Sequence, residues 1–269
     1  MLPEPRNAAS LAYRESGRKD APALVLLHGI GSTSAAWRLQ YAPLGERFRV
    51  IAWDAPGYGG SAPLPAHAPA TADYAGALAR LLDALGVAQA IVGTNSWGTP
   101  TGVAFARLYP QRVRALVLGG PTAGWGWLPV AEQETRTASR IERITKLGMK
   151  AMREEDAPQL VAPGTRQEVL DWIRSPEGVT LEGYAQALRN MAAADVAREA
   201  ADVKCPVRIL SGELDQRTPP AQHARRIAAA LPNGSLQMIP NCGHLPHLEH
   251  PAVFNAAVLE TLKALELPA

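Results

Sequence analysis

The chain has 269 residues, of which 47% are hydrophobic and 19% are charged, and its formal net charge is +2. This composition supplies a large buried core and excludes a disordered chain. It also lacks the basic surface that nucleic acids require and the long apolar stretch that a bilayer requires. We therefore expect neither nucleic acid nor membrane as a partner.

The first residues lack a basic segment followed by an apolar one, which predicts that there is no signal peptide. The two cysteines, Cys205 and Cys242, stand in unrelated contexts, as is typical of proteins in a reducing compartment. The sequence therefore predicts a cytoplasmic protein.

Short runs rich in valine, isoleucine and leucine predict buried parallel strands. These runs span residues 23–27, 50–53, 90–92, 115–118, 207–210 and 236–239. Helical patterns lie between or after them, over residues 35–47, 71–85, 97–109, 221–231 and 251–265. Such alternation predicts an α/β fold with a mostly parallel central sheet and helices on both faces.

The alternation stops in a charged stretch that has helical periodicity but no good strand. The sequence therefore predicts one core domain in two parts, residues 1–121 and 204–269. A helical lid, residues 122–203, is inserted between them. Inside this lid, Thr165 and Glu168 have the spacing of a helix capping box.

The strand at 90–92 leads into Gly-Thr-Asn-Ser-Trp-Gly, and a helix follows at once. A serine on a sharp strand-to-helix turn is the nucleophile elbow of many hydrolases, which makes Ser96 the candidate nucleophile. The residues two before and two after the serine should be small. Gly98 satisfies this requirement, whereas Thr94 departs from it. The alternative is an ordinary serine at the start of a helix.

Two further segments follow in the chain order that such enzymes use. Asp215 comes just after the strand at 207–210, and His244 follows the strand at 236–239. We expect His244 to act as general base for Ser96 and Asp215 to orient the histidine. Glu213 is the alternative acid.

An oxyanion hole requires two backbone N–H donors, and the candidates are Ile30 and Trp97. We expect the nearby His28 to hold this loop. Candidate substrate-pocket residues are Trp125, Trp127 and Leu245.

His244, His247 and His250 recur every three residues, but acids or cysteines at ligand spacing do not accompany them. We therefore predict neither a metal site nor a cofactor.

These features resemble the α/β-hydrolase superfamily over nearly the whole chain. The resemblance rests on His28-Gly29, the glycine-rich segment 54–61, Leu85-Gly86, Tyr109-Pro110 and Gly243-His244. Segments 13–17, 47–50, 183–184 and 194–195 are similar to 3-oxoadipate enol-lactonases and related esterases. Asn95 resembles the carbon–carbon bond hydrolases of ring-cleavage (meta-cleavage) products, although Leu245 stands where those enzymes usually have tryptophan.

The sequence and the resemblance together predict a serine hydrolase of a small ester or lactone, active as a monomer or homodimer. Alternatives are carbon–carbon hydrolysis, enol-lactone hydrolysis, a cofactor-free oxygenase and a ligand-binding protein without catalysis. An anionic substrate requires an arginine in the pocket, for which Arg136, Arg140 and Arg143 are candidates. Because these three side chains fit a solvated helix face, we expect a neutral substrate.

Overall fold

A computed structural model describes residues 2–175 and 178–265. Eight strands form one sheet in the order β1-β2-β4-β3-β5-β6-β7-β8. They are β1 (Pro5–Ala8), β2 (Leu11–Ser16), β3 (Ala23–Leu27), β4 (Arg49–Trp53), β5 (Ala90–Ser96), β6 (Val113–Pro121), β7 (Val207–Gly212) and β8 (Gly234–Ile239). From β4 to β8 all neighbouring strands pair in parallel, which confirms the predicted sheet.

The first two strands were not predicted. They pair antiparallel with each other, and β2 pairs antiparallel with β4. β1 is short, polar and exposed, so it carries no apolar signal. Its turn is formed by Ala9 and Ser10, whose φ angles of 50° and 62° are usually supplied by asparagine and glycine.

Helices cover both faces of the sheet. Alternate side chains of β3 and β4 enter two separate apolar cores, as expected for strands buried on both sides. One core includes α2 (Thr71–Ala84), α3 (Gly98–Leu108) and α8 (Ala224–Ala230). The other includes α1 (Tyr41–Gly45) and α10 (Pro251–Ala264), with α9 (Pro246–Glu249) just before α10. The predicted helix at 35–47 is a 3₁₀ turn, Ser34–Trp37, followed by the short α1.

Between β6 and β7 the described chain forms α4 (Val130–Asp156), α5 (Gln167–Arg174), α6 (Leu181–Ala193) and α7 (Val196–Ala200). Helix α4 is interrupted at Gly148, which has a φ of 74°. The predicted capping box is wrong, because α5 begins at Gln167 and the Thr165 hydroxyl donates to the Ala162 carbonyl instead.

We propose that residues 122–203 act as the lid over a core formed by 1–121 and 204–269. Residues 1, 176–177 and 266–269 of these predicted ranges lie outside the described chain. The segment contacts the glycine-rich loop after β4, where Val179 pairs with Tyr58 and the Thr180 hydroxyl donates to the Gly57 carbonyl. No helix in the described residues has both the length and the apolarity needed to cross a membrane.

Candidate active site

Ser96 lies at the turn between β5 and α3. Its φ of 50° is in the left-handed region, which non-glycine residues rarely adopt and which concentrates at functional sites. The turn also packs tightly against β3, since a Cβ on Gly98 would lie 2.4 Å from the Leu27 carbonyl oxygen. These are the strain and crowding expected of a nucleophile elbow.

Thr94 is accommodated in this elbow by a glycine on the following helix. A Cβ on Gly102 would lie only 2.7 Å from the Thr94 methyl carbon. The Thr94 hydroxyl lies 3.3 Å from the hydroxyl of Thr99, so its buried polar atom has a partner. The departure from a small residue at position 94 is thus offset by the absence of a side chain at position 102.

Asp215 and His244 form a buried pair at the ends of neighbouring parallel strands. Oδ2 of Asp215 lies 2.9 Å from Nδ1 of His244. The Asp215 Oδ1 accepts the backbone N–H groups of Arg217 and Thr218 at 2.9 Å, and the Thr218 hydroxyl donates to Oδ2 at 2.8 Å. Glu213, the alternative acid, is exposed.

The environment of Asp215 favours its ionised form. Burial alone would raise the pKa of this carboxyl. The charge of His244, its hydrogen bond and the hydrogen bonds from Thr218 outweigh burial, so the pKa of Asp215 lies below its ordinary value. A charged carboxylate at Nδ1 fixes the histidine tautomer that leaves Nε2 as a proton acceptor.

Asn95 and Glu249 hold the loop that carries His244. The side-chain amide of Asn95 donates to the His244 carbonyl at 3.3 Å and to the Gly119 carbonyl at 3.1 Å. The Glu249 carboxylate accepts the N–H groups of Gly243 and Leu245, at 2.8 and 3.0 Å, on either side of the histidine. Both contacts restrict where the imidazole can lie.

The loop after β3 approaches Ser96 closely. A Cβ on Gly29 would lie 2.9 Å from Oδ1 of Asn95 and 3.3 Å from the Cβ of Ser96, so the glycine lets the loop approach without displacing either residue. The next residue is Ile30, whose N–H we propose as an oxyanion donor together with that of Trp97. Ile30 and Trp97 both lie outside the regular helices and strands, and neither N–H donates to a described backbone carbonyl.

Both ring nitrogens of His28 contact backbone groups rather than another catalytic candidate. Its Nε2 accepts the Ala55 N–H at 3.0 Å, and its Nδ1 lies 2.8 Å from the Gly29 carbonyl oxygen. Burial lowers the pKa of His28, which keeps the ring neutral. His28 therefore holds the loop, as predicted, and the Tyr58 hydroxyl supports the same loop by donating to the Ile30 carbonyl at 2.7 Å.

One cavity is lined by Ser96, His244, the loop after β3 and the helical segment 122–203. Its apolar lining comprises Ile30, Met152, Leu160, Trp172, Ile173, Leu245 and Leu248. Its charged lining comprises Arg38, Arg153, Asp156 and Arg217. The predicted pocket residue Leu245 therefore lines this cavity.

Trp125 and Trp127 are absent from the described lining of this cavity. The chain beyond β6 turns towards the end of α6, where the Trp125 N–H donates to the Met191 carbonyl at 2.9 Å. The Arg140 guanidinium lies 4.7 Å from the Trp125 ring, and that of Arg226 lies 4.7 Å from the Trp127 ring. Both tryptophans thus pack against cations and are not part of this lining.

The family is decided by comparison with known proteins. The family model of the alpha/beta hydrolase family matches residues 24–257. The chain belongs to the alpha/beta hydrolase family.

This alpha/beta hydrolase is 30% identical, over 94% of its length and 91% of the relative, to 2-hydroxy-6-oxononadienedioate/2-hydroxy-6-oxononatrienedioate hydrolase 2 of Pseudomonas putida. An esterase of Thermogutta terrifontis superposes with a TM-score of 0.82 at 27% identity, covering 98% of both chains. The enol-lactonase of Burkholderia xenovorans superposes with a TM-score of 0.81 at 25% identity, covering 97% of this chain and 100% of its own.

His247, His250 and Cys242 of the hydrolase make packing or backbone contacts. The ring of His247 is buried against Trp37, with 4.5 Å between centroids, and Nε2 of His250 lies 3.0 Å from the Asn241 carbonyl oxygen. Cys242 is fully buried, and burial raises the pKa of its thiol well above the ordinary value. No group of three or more potential metal ligands occurs among the described residues.

The sequence analysis missed two features of the site. Thr218 contacts both members of the acid–base pair, and its position three residues after Asp215 was the available signal. Arg153 lines the cavity from the second half of α4. Met149, Met152, Arg153 and Asp156 have the i, i+3, i+4, i+7 spacing of one helix face, which could have indicated that this half of α4 faces inwards.

Proposed function

We propose that this alpha/beta hydrolase is a serine hydrolase that cleaves a small carboxylic ester or lactone through an acyl-enzyme. The observation that carries the proposal is the 2.9 Å contact between Asp215 and His244, since His244 lines the same cavity as the strained Ser96. The order serine, acid, histidine along the chain is the order of this fold's catalytic triads.

The proposed reaction follows from these positions. His244 takes the proton of Ser96 as its oxygen attacks the substrate carbonyl. The N–H groups of Ile30 and Trp97 stabilise the negative charge on the carbonyl oxygen. His244 then returns the proton to the leaving alcohol, and water, activated by the same histidine, hydrolyses the acyl-enzyme. In a lactone the alcohol stays tethered to the acyl group.

Carbon–carbon bond hydrolysis is the second candidate. It is supported by Asn95 and by the 30% identity to the dienedioate hydrolase. Against it, the Asn95 amide is engaged by the carbonyls of Gly119 and His244, and Leu245 is the residue after the histidine. Enol-lactone hydrolysis is a special case of the main proposal, supported by the likeness to the solved enol-lactonase.

A ligand-binding protein without catalysis is the weakest candidate, because binding alone does not require an oriented acid–histidine pair.

We also propose that the enzyme acts on a small molecule in the cytoplasm, as a monomer or homodimer. The free thiols of Cys205 and Cys242 support a reducing compartment.

The test is a panel of p-nitrophenyl esters of increasing chain length, simple lactones and a dienone acid. Ester or lactone turnover should fall by about 10³-fold or more in Ser96→Ala, and a fluorophosphonate should label Ser96 alone. Asp215→Asn should lower kcat by about 10³- to 10⁴-fold, while Glu213→Gln should not. Full activity in Ser96→Ala would contradict the proposal, and turnover of the dienone acid alone would favour carbon–carbon hydrolysis.

A further inference from the structure

Arg153 reaches the active-site cavity from the second half of α4. Its guanidinium packs directly on the loop after β3, because a Cβ on Gly31 would lie 2.7 Å from Nη1 of the arginine. Gly31 directly follows Ile30, the proposed oxyanion donor. The guanidinium therefore lies beside the place where a bound carbonyl group would react.

The Arg153 guanidinium has no carboxylate partner among the residues that the structure describes. Its Nε is fully buried, and the Nε–H donates to no described acceptor. Burial lowers the pKa of Arg153, although arginine stays protonated at neutral pH. Arg153 is half-buried, and a partly desolvated cation without a carboxylate partner costs free energy that a bound anion would recover.

The only acidic side chain in the described cavity lining is already engaged. Asp156 Oδ1 accepts a hydrogen bond from Arg143 at 2.8 Å, and its Oδ2 lies 3.7 Å from Nη2 of Arg217. The Asp156 carboxylate is therefore engaged by Arg143 and Arg217, and it forms no ion pair with Arg153. Arg153 and Arg217 both belong to the lining, so the described part of the cavity carries more positive than negative charge.

We propose that Arg153, assisted by Arg217, forms a subsite for a carboxylate on the substrate, so that the preferred substrate is an anionic ester or lactone. This inference rests on the proposed function and names the substrate class of the same site. A guanidinium can bind both carboxylate oxygens at once, which suits a planar anion near the reacting carbonyl. The apolar side chains of the cavity contact the carbon chain that joins the two groups.

The three arginines selected from the sequence do not line the described cavity. Arg136 pairs with Glu132 on an exposed surface, and Arg143 pairs with Glu155 and Asp156. Arg140 lies over Trp125. The expectation of a neutral substrate was based on those three positions, and the proposed subsite at Arg153 replaces it with an anionic one.

The test compares 4-nitrophenyl butyrate with the 4-nitrophenyl monoester of succinic acid, which has a carboxylate at the end of an equally long acyl chain. In the wild type, kcat/KM for the succinate ester should be about 10- to 100-fold higher. Arg153→Met should abolish this preference, because it should lower kcat/KM for the succinate ester far more than for the butyrate ester, and Arg153→Lys should restore part of it. Arg136→Met, on the exposed part of the same helix, is the matched control and should keep the preference.

A binding measurement separates this inference from the proposed function. Ser96→Ala should bind succinate in calorimetry, and adding Arg153→Met should weaken binding by about tenfold or more. Arg153-dependent binding without ester turnover would contradict the proposed function and support the subsite. Equal kcat/KM for the two esters, or a carboxylate preference that survives Arg153→Met, would overturn the subsite and leave the proposed function intact.

Discussion

The methyl group of Thr94 occupies the space that a side chain on Gly102 would need, since a Cβ there would lie 2.7 Å from it. We predict that Gly102→Ala destabilises the fold by about 1–3 kcal/mol through overpacking, despite the higher helix propensity of alanine. In a Thr94→Ser background, which keeps the hydroxyl but removes the methyl group, the same change should cost much less. Urea unfolding of the four proteins measures this coupling, and an equal cost in both backgrounds would contradict it.

The sequence predicted the parallel part of the sheet because most of those strands are apolar on both faces. It could not predict β1 and β2, because Pro5–Ala8 is exposed and its hairpin turn uses Ala9 and Ser10 in place of the usual turn residues. Tertiary contacts, which leave no local pattern, hold those strands in place.

The same difference applies to the site. Ser96, Asp215 and His244 each follow a predicted strand, so the parallel sheet brings them to one edge. The arginines of segment 122–203 gave a weaker signal, because helical spacing can mark one face of α4, as it does around Arg153, but does not reveal which cavity that face lines. The interruption of α4 at Gly148 separates exposed Arg136 from Arg153, which lines the cavity. Trp125 and Trp127 were assigned to the pocket for the same lack of information.

Thr218 is predicted to be a positioning residue for the acid–base pair. Its hydroxyl donates to Oδ2 of Asp215 and lies 3.1 Å from Nδ1 of His244. Thr218→Val removes a donor that stabilises the deprotonated pair, so kcat should fall by about 3- to 30-fold and the acid limb of the pH–rate profile should move to higher pH. Thr218→Ser keeps the hydroxyl and should restore both properties. A valine variant with an unchanged pH profile would show that Thr218 only packs.

Glu249 is predicted to couple the proposed lid to the loop that carries His244. The same carboxylate that accepts the Gly243 and Leu245 N–H groups also accepts the Ala162 N–H of the lid, at 2.7 Å. Glu249→Gln replaces one acceptor oxygen with a donor, so we expect a loss of about 1–3 kcal/mol in the free energy of unfolding, with a lower kcat. Urea unfolding and ester turnover measure the two effects. The control is Glu213→Gln, which changes an exposed carboxylate and should alter neither stability nor turnover. If Glu249→Gln also leaves both unchanged, the coupling is refuted.

His247 is predicted to make the fold sensitive to acid. Burial, reinforced by the charge of His244, lowers its pKa to about 3, and the ring packs against Trp37 and Phe254. Because the folded-state pKa lies below the ordinary value of 6.5, only the unfolded chain binds this proton as the pH falls from about 6.5 towards 3. Stability from this group is therefore complete above pH 6.5 and is lost on acidification, by about 2 kcal/mol between pH 7 and pH 5.

His247→Phe keeps an aromatic ring at this position and removes the proton-binding site. Urea unfolding at pH 7 and pH 5 should therefore show a loss of stability about 2 kcal/mol smaller than in the wild type, whatever the variant's stability at pH 7. Some acid sensitivity should remain, because burial also lowers the pKa of His223 to about 4. The control is His67→Gln, since His67 is exposed and should not affect the difference. If His247→Phe loses as much stability on acidification as the wild type, then His247 takes up its proton in the folded state, and its buried ring does not cause the acid sensitivity.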